Sequence, residues 1–375
     1  ATARQPEMRF VVSNTTEAGI ATSPDDRPDD RPPATFPAKV AVWLHTRREA
    51  LGDGGGVVFM PCELINHNGD KLREAVLYYA DLWGWDTAFA HWVDKQCVFC
   101  NTLVDRIVPG YPRDRIKEIH EELGYEDQLV VEGEVFHLWV IEGPKSVRAA
   151  FPADRAGLNV KFVENMQPYR TRKVRILNGA HTTMVPVGYL YGLRTVQETV
   201  EHDVVGEFVR RAVHDEIIPT LDLPADELRQ FAADVTERFR NPYVRHELIS
   251  IALNSTAKFE TRVLPSLVIF LEQTGRVPAR LAFALAALIR FYKGDHDGQT
   301  IELKDDADVL TFFEERWGGT DGSDESLRQL VHDVLGWERI WKRDLNELPD
   351  LTDTVAGHLQ TIERVGMQQA MARLR

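Results

Sequence analysis

Val57-Val58-Phe59-Met60-Pro61-Cys62 is an apolar run of strand length that ends on a proline. Before it, Ala38 to Arg48 carries apolar residues at helical spacing, and after it Lys71 to Trp83 does the same. Further out, Met8-Arg9-Phe10-Val11-Val12-Ser13 has the look of another buried strand. Strand, helix, strand, helix, with strands that are continuously apolar and not alternating, is the rhythm of a parallel sheet covered by helices. The fold class this predicts is α/β. Gly52-Asp53-Gly54-Gly55-Gly56 precedes its strand, whereas phosphate-cradling glycines follow a strand and open a helix, so it reads as a turn. No glycine fingerprint occupies the strand-to-helix position of a dinucleotide site anywhere in the chain.

From about residue 185 the pattern changes. Thr195 to Ala212, Ala225 to Arg238, Val244 to Leu253, Val263 to Thr274, Ala279 to Tyr292, Leu327 to Trp341 and Leu351 to Leu374 carry apolar residues at helical spacing. The expected organisation is an α/β domain over 1–165 and a mostly α-helical domain over 166–375. Residues 23–37, rich in proline and aspartate, read as a solvated surface loop.

Composition excludes several classes. A net charge of −14 with no Lys/Arg-rich run argues against nucleic acid. The longest apolar runs, such as Leu281 to Ile289, are too short to span a bilayer. Three cysteines in 375 residues suggest a reducing compartment, and the expected location is the cytoplasm. On that reading the sequons at Asn14 and Asn254 carry no meaning. Cys97-Val98-Phe99-Cys100 has a CxxC spacing but no second pair to complete a zinc site, so it reads as two buried thiols in a helix, and no metal is expected. Trp83, Trp85 and Trp92 read as core aromatics, and Asp305 to Asp308 and Asp321 to Glu325 as acidic surface. Oligomeric state is not readable.

Lys173-Val174-Arg175-Ile176-Leu177-Asn178-Gly179-Ala180-His181 sets a lysine, an amide and an imidazole in an apolar segment near the domain boundary. A buried lysine can lose its proton near neutral pH, and an amide and an imidazole nearby can polarise or orient an oxygen. The bland alternative is a helix with three polar residues on a solvated side. Geometry adds a demand: Asn178 and His181 share a helix face, but Lys173 and Asn178 lie about 140° apart on an ideal α-helix. Lys173 is therefore expected to precede the helix proper or to reach across from its first turn.

Lys173-x4-Asn178-x2-His181 resembles the catalytic motif of the mannitol dehydrogenase family, the polyol-specific long-chain dehydrogenases/reductases. Three further stretches resemble family segments in the same order: Thr16-Glu17-Ala18-Gly19, Asn68-Gly69, and Val104-Asp105-Arg106-Ile107. Ser13 to Ile20, Pro61 to Ile65, Gly143-Pro144-Lys145-Ser146, Asn178 to His181 and Arg238 to Tyr243 look most like members acting on a hexuronate. The resemblance covers the chain from Pro6 almost to its end.

The resemblance implies a Rossmann-like nucleotide domain followed by a helical catalytic domain, and NAD-linked hydride transfer interconverting D-tagaturonate and D-altronate. The same motifs would serve fructuronate or mannitol, and a non-catalytic sugar-acid-binding fragment is the remaining alternative. Carried over by position, Lys173 is the general acid/base, with Arg170, Arg172 and Arg175 as positive neighbours that depress its pKa. Asn178, with Asn68 or another asparagine of its segment, donates to the developing alkoxide. His181 and Asp105 bind substrate hydroxyls, and Glu17 lies on a proton path. Arg245, Lys258 and Arg262 are candidates for the substrate carboxylate, and Asn14, Thr15 and Thr16 for the cofactor. A glutamate that the family can carry three positions before the lysine is Arg170 here. The family's glycine-rich loop is expected upstream of residue 1, which makes the chain an N-terminally truncated member, lacking the first βαβ part and binding NAD poorly.

Overall fold

The structure, a computed structural model, describes residues 1–374 apart from 16, 17, 109, 110, 114, 244 and 245. It divides into two compact units, Ala1–Tyr169 and the chain from Arg170 onward. In the first unit the elements are β1 (Phe10–Ser13), α1 (Phe36–Leu51), β2 (Val58–Pro61), α2 (Asn68–Leu82), α3 (Thr87–Gln96), β3 (Val98–Phe99), β4 (Asn101–Asp105), α4 (Ile116–Leu123), β5 (Leu138–Glu142), α5 (Lys145–Ala150) and β6 (Val160–Val163). β1, β2 and β3 form a parallel sheet in that order, with Val11 opposite Phe59 and Phe59 opposite Phe99. β4 and β5 pair antiparallel, and β5 and β6 parallel. The predicted alternation of strand and helix is thus realised.

The core of this unit lies between the first sheet and the helices α1 to α3, around Leu44, Phe59, Leu72, Tyr79, Phe89 and Trp92. Trp83 and Trp85 pack against it, as core aromatics should. Two readings need correction. Cys97 ends α3 and Cys100 joins β3 to β4, so the thiols are not within a helix. Burial pushes them up to about 11 and about 12, which keeps both protonated. The 23–37 loop is pinned rather than solvated throughout, because Asp26 is buried and its carboxylate accepts from Tyr79 Oη at 2.6 Å, Thr35 Oγ1 at 2.8 Å and the Ala34 N–H at 2.8 Å.

The second unit is helical. α6 (Gln167–Arg172), in which the division falls, leads into a π-helical turn (Lys173–Asn178) and then α7 (Gly179–Tyr191). Next come α8 (Val196–Glu201), α9 (Asp203–Arg211), a second π turn (Ala212–Ile217), α10 (Ala225–Phe239), α11 (Leu248–Ile251), α12 (Ser255–Arg262), α13 (Leu264–Thr274) and α14 (Ala279–Phe291). After a short hairpin of β7 (Asp295–His296) and β8 (Gln299–Thr300), the chain ends in α15 (Ala307–Gly318), α16 (Asp324–Leu335), α17 (Glu338–Trp341) and α18 (Leu351–Arg373). α14 is apolar on every side and almost wholly buried, as the centre of a helical bundle must be. The expected helix from Thr195 to Ala212 is broken at His202, whose backbone is extended and whose ring accepts from the N–H groups of Val204 and Val205 to cap α9. Among the described residues no helix is long and apolar enough to cross a membrane.

Candidate active site

The stretch from Lys173 to His181 is not one regular α-helix. Gly179 N–H donates to the Val174 carbonyl five residues back, the bonding pattern of a π turn. That pattern turns each residue by roughly 82° instead of 100°, so five residues bring the chain to within about 50° of its starting face. Lys173 and Asn178, about 140° apart on an α-helix, therefore share a face, and His181, three residues on in α7, joins them. Lys173 thus precedes α7, as expected, in a turn whose pitch differs from that of an α-helix. Glycine at position 179 has a packing reason: a Cβ there would sit 3.2 Å from the Arg262 carbonyl oxygen and 3.7 Å from Ile217 Cδ1.

His181 is 7 % exposed and its Nε2 is buried without a hydrogen-bond partner. Its ring stacks on Phe239 at 4.2 Å and meets His246 edge-on at 5.2 Å. Burial, then the positive surroundings of His246, Arg262, Arg238 and Lys258, holds its pKa well below the usual histidine value, so the ring is neutral at pH 7. Thr183 Oγ1, two residues further along α7, is likewise buried without a partner. Asn178 is half-buried, and its carboxamide bonds to no described residue, although its backbone carbonyl accepts from Thr182 Oγ1.

Lys258 and Arg262 are four residues apart on α12 and so share a face. Lys258 Nζ donates to the Ile251 carbonyl at 2.8 Å. Arg262 makes no hydrogen bond or ion pair with any described residue, and burial pushes its guanidinium down from the ordinary value. Arg262, a half-buried cation without a carboxylate partner among the described residues, near a buried unpaired nitrogen, can receive an anionic, hydroxyl-bearing ligand. Phe239, His246 and Arg238 went unnoticed as site residues in the sequence. The only signal for Arg238 and Phe239 was their place in Arg238-Phe239-Arg240-Asn241-Pro242-Tyr243, quoted above for its resemblance alone, and His246 had none. A cavity of about 460 Å³ in this unit is lined by Ile176, Ala180, Val213 and Phe239 among others, so it borders the stacking partner of His181, but Lys173, Asn178 and His181 do not line it.

The remaining expected residues divide. Lys173 is half-buried in the π turn. Arg172 turns away into an ion pair with Glu227, and Arg175 donates to Ser266 Oγ at 3.0 Å. In the first unit, Asn68 requires correction as a donor to substrate. It is fully buried, its Nδ2 donates to the carbonyls of Pro61, Glu63 and Thr102, and its Oδ1 accepts from the N–H groups of Gly69 and Thr102. No proton is left for an alkoxide, so the residue is a structural knot joining β2, α2 and β4. Asp105 is buried at the end of β4. Asn14 is exposed just beyond the carboxyl end of β1, while Thr15 donates through its N–H and Oγ1 to the buried Glu63. Thr16, Glu17 and Arg245 lie outside the described residues. Among the described residues no group of three or more histidines, cysteines or carboxylates converges as a metal site would need.

A parallel-stranded α/β unit followed by a helical unit carrying a Lys–Asn–His face is the organisation of a long-chain oxidoreductase. The family models for the mannitol dehydrogenase Rossmann domain and the mannitol dehydrogenase C-terminal domain match residues 1–154 and 165–363, and the chain belongs to that family. It is 51% identical over 371 residues to the altronate oxidoreductase of Bacillus subtilis (strain 168), a match that covers 98% of this chain and 75% of that one. Among solved structures, substrate-free D-sorbitol dehydrogenase superposes with a TM-score of 0.80 at 24% identity, covering 98% of this chain and 76% of the other. The Pseudomonas fluorescens mannitol 2-dehydrogenase complex with NAD and D-mannitol gives 0.67 at 23% identity, covering 100% and 75%. These two likenesses establish the fold.

Proposed function

We propose that the chain interconverts D-tagaturonate and D-altronate with NAD as redox partner, Lys173 serving as general acid and base. The observation that carries a sugar acid over a neutral polyol is Arg262, a half-buried guanidinium with no partner among the described residues, four residues from Lys258 and close enough to bias the neutral His181. The altronate oxidoreductase name of a relative at 51% identity supports the same substrate.

NAD is supported by membership of a family whose N-terminal domain is a Rossmann domain, and by parallel strands whose carboxyl ends carry the Asn14–Thr15 turn. The fit is to part of the cofactor: Asn14 and Thr15 suit its approach to the sheet edge, whereas among the described residues no glycine-rich turn supplies backbone amides for a pyrophosphate. When bound, NAD supplies or accepts the hydride at the substrate carbon. Lys173 takes the hydroxyl proton in the oxidative direction and returns it to the oxygen in the reductive one. Asn178 donates its amide N–H to that oxygen as charge develops, and the neutral His181 ring orients a neighbouring hydroxyl. Lys258 and Arg262, with Arg245, take the carboxylate, and Asp105 and Glu17 keep the roles that the resemblance implies.

The test is steady-state kinetics of the purified chain with NAD and D-altronate or D-mannitol, and with NADH and D-fructuronate. Altronate should turn over with a kcat/KM at least about 100-fold above mannitol, and Arg262→Met should raise the altronate KM about tenfold without moving that of mannitol. Equal use of mannitol and altronate, or an unchanged KM in Arg262→Met, sinks the reading.

A further inference from the structure

Arg175 lies inside the π turn between Lys173 and Asn178, and its position has no reason in stability. The side chain is half-buried, no carboxylate among the described residues pairs with it, and its hydrogen bond goes to one neutral hydroxyl, Ser266 Oγ at 3.0 Å. Burial pushes the guanidinium down to about 10, so it is still charged at neutral pH. Holding a cation there costs free energy that a leucine would not. Ser266 is fully buried on α13, and its Oγ lies 3.1 Å from Thr220 Oγ1. Thr220 Oγ1 in turn donates to the Ile217 carbonyl at 2.7 Å.

Ile217 closes the second π turn, where the Ile218 N–H donates to Val213 five residues back. Three side chains therefore join the two π turns of this unit across 91 and 46 residues of sequence. The two turns also lie side by side at Gly179, where an added Cβ would sit 3.7 Å from the Ile217 side chain. A π turn is an uncommon state of a helix, and relaxing this one to α pitch would carry Lys173 about 90° further round from Asn178.

We infer that Arg175, Ser266 and Thr220 form a clamp that holds residues Lys173–Asn178 in the π turn and so keeps Lys173 and Asn178 on one face. All three are positioning residues and none touches substrate. The inference rests on the reading above, in which Lys173 and Asn178 meet the same substrate oxygen. The geometry of a reacting pair is sensitive to displacements of about 1 Å, so the cost of losing the clamp falls on turnover and not on binding.

Two measurements on the whole chain test it, with the variants Ser266→Ala, Arg175→Met and Arg175→Lys. In hydrogen–deuterium exchange, Ser266→Ala and Arg175→Met should quicken exchange of the Lys173–Asn178 amides about tenfold while leaving α14 unchanged. In steady-state kinetics with altronate, kcat should fall about tenfold with KM within about twofold, and Arg175→Lys, which keeps a cationic donor, should recover most of both losses. Unchanged exchange in the segment, equal quickening throughout the helical unit, or a change in KM alone overturns the clamp. If the unmodified chain fails to oxidise altronate, the functional reading falls, while the exchange result still decides whether the clamp exists.

Discussion

Two places in the molecule treat buried polar side chains in opposite ways, the surroundings of Asn68, Glu63 and Arg47 in the first unit and those of His181 in the second. In the first unit Asn68 has every hydrogen-bonding position filled, Glu63 accepts from Ser13 and Thr15, and the buried Arg47 donates to the carbonyls of Gly55, Ala3, Gln5 and Met8. In the second unit His181 Nε2 and Thr183 Oγ1 are buried without partners, and Arg262 has no counter-ion among the described residues. A satisfied buried group specifies a fold, whereas an unsatisfied one costs roughly 1–3 kcal/mol until something binds it. The difference teaches where to look for chemistry: not at whichever polar residue is most buried, but at the one whose partner is missing.

The sharpest way to break this contrast is Lys173→Ala. It should lower kcat about a thousandfold, within the range for a lost general acid or base, with thermal stability kept. Near-normal turnover would remove Lys173 from its role. Asn68→Ala should do the reverse and act on the fold of the first unit. It strips partners from the carbonyls of Pro61, Glu63 and Thr102 and the N–H of Thr102, so unfolding should become easier by about 3 kcal/mol in denaturant titration. A stable Asn68→Ala protein with only its kcat reduced would restore Asn68 to the substrate.

The smallest effect is on pH. In the second unit burial depresses His181 well below its ordinary value and His358 to about 4. As pH falls below about 6.5 the unfolded chain binds protons there that the folded unit refuses, so stability is present above that pH and is lost progressively down to about 4. In the first unit burial opposes the Asp26 charge, but hydrogen bonds from Tyr79, Thr35 and the Ala34 N–H outweigh it and lower its pKa. That contribution is present above the ordinary aspartate value of 3.8 and is lost only as pH falls through the lower folded one. At pH 5 hydrogen exchange should therefore open the helical unit before the α/β unit, and His358→Phe should narrow the gap. Simultaneous loosening of both units would erase the distinction.

Much of the architecture was legible because it is local. β2 and its flanking helices, β1, and the helices of residues 225–239 and 279–291 stand where apolar periodicity predicted them, and Lys173, Asn178 and His181 stood out by residue type and spacing. What failed depended on distant partners. The helix expected from Thr195 broke where the His202 ring caps the next one, the 23–37 loop was drawn in by Tyr79 from α2, and Asn68 looked reactive until Thr102 proved to satisfy it.

The sequence by itself determined the class: parallel strands, then helices, with a lysine, an asparagine and a histidine at fixed offsets and four motifs in family order. Only the tertiary structure decided which of those residues can act together. A sequence numbers residues along the chain, but whether the fifth residue faces the first depends on the pitch of the turn. In this chain the pitch differs from that of an α-helix, and the contacts beside it come from side chains up to 91 residues away.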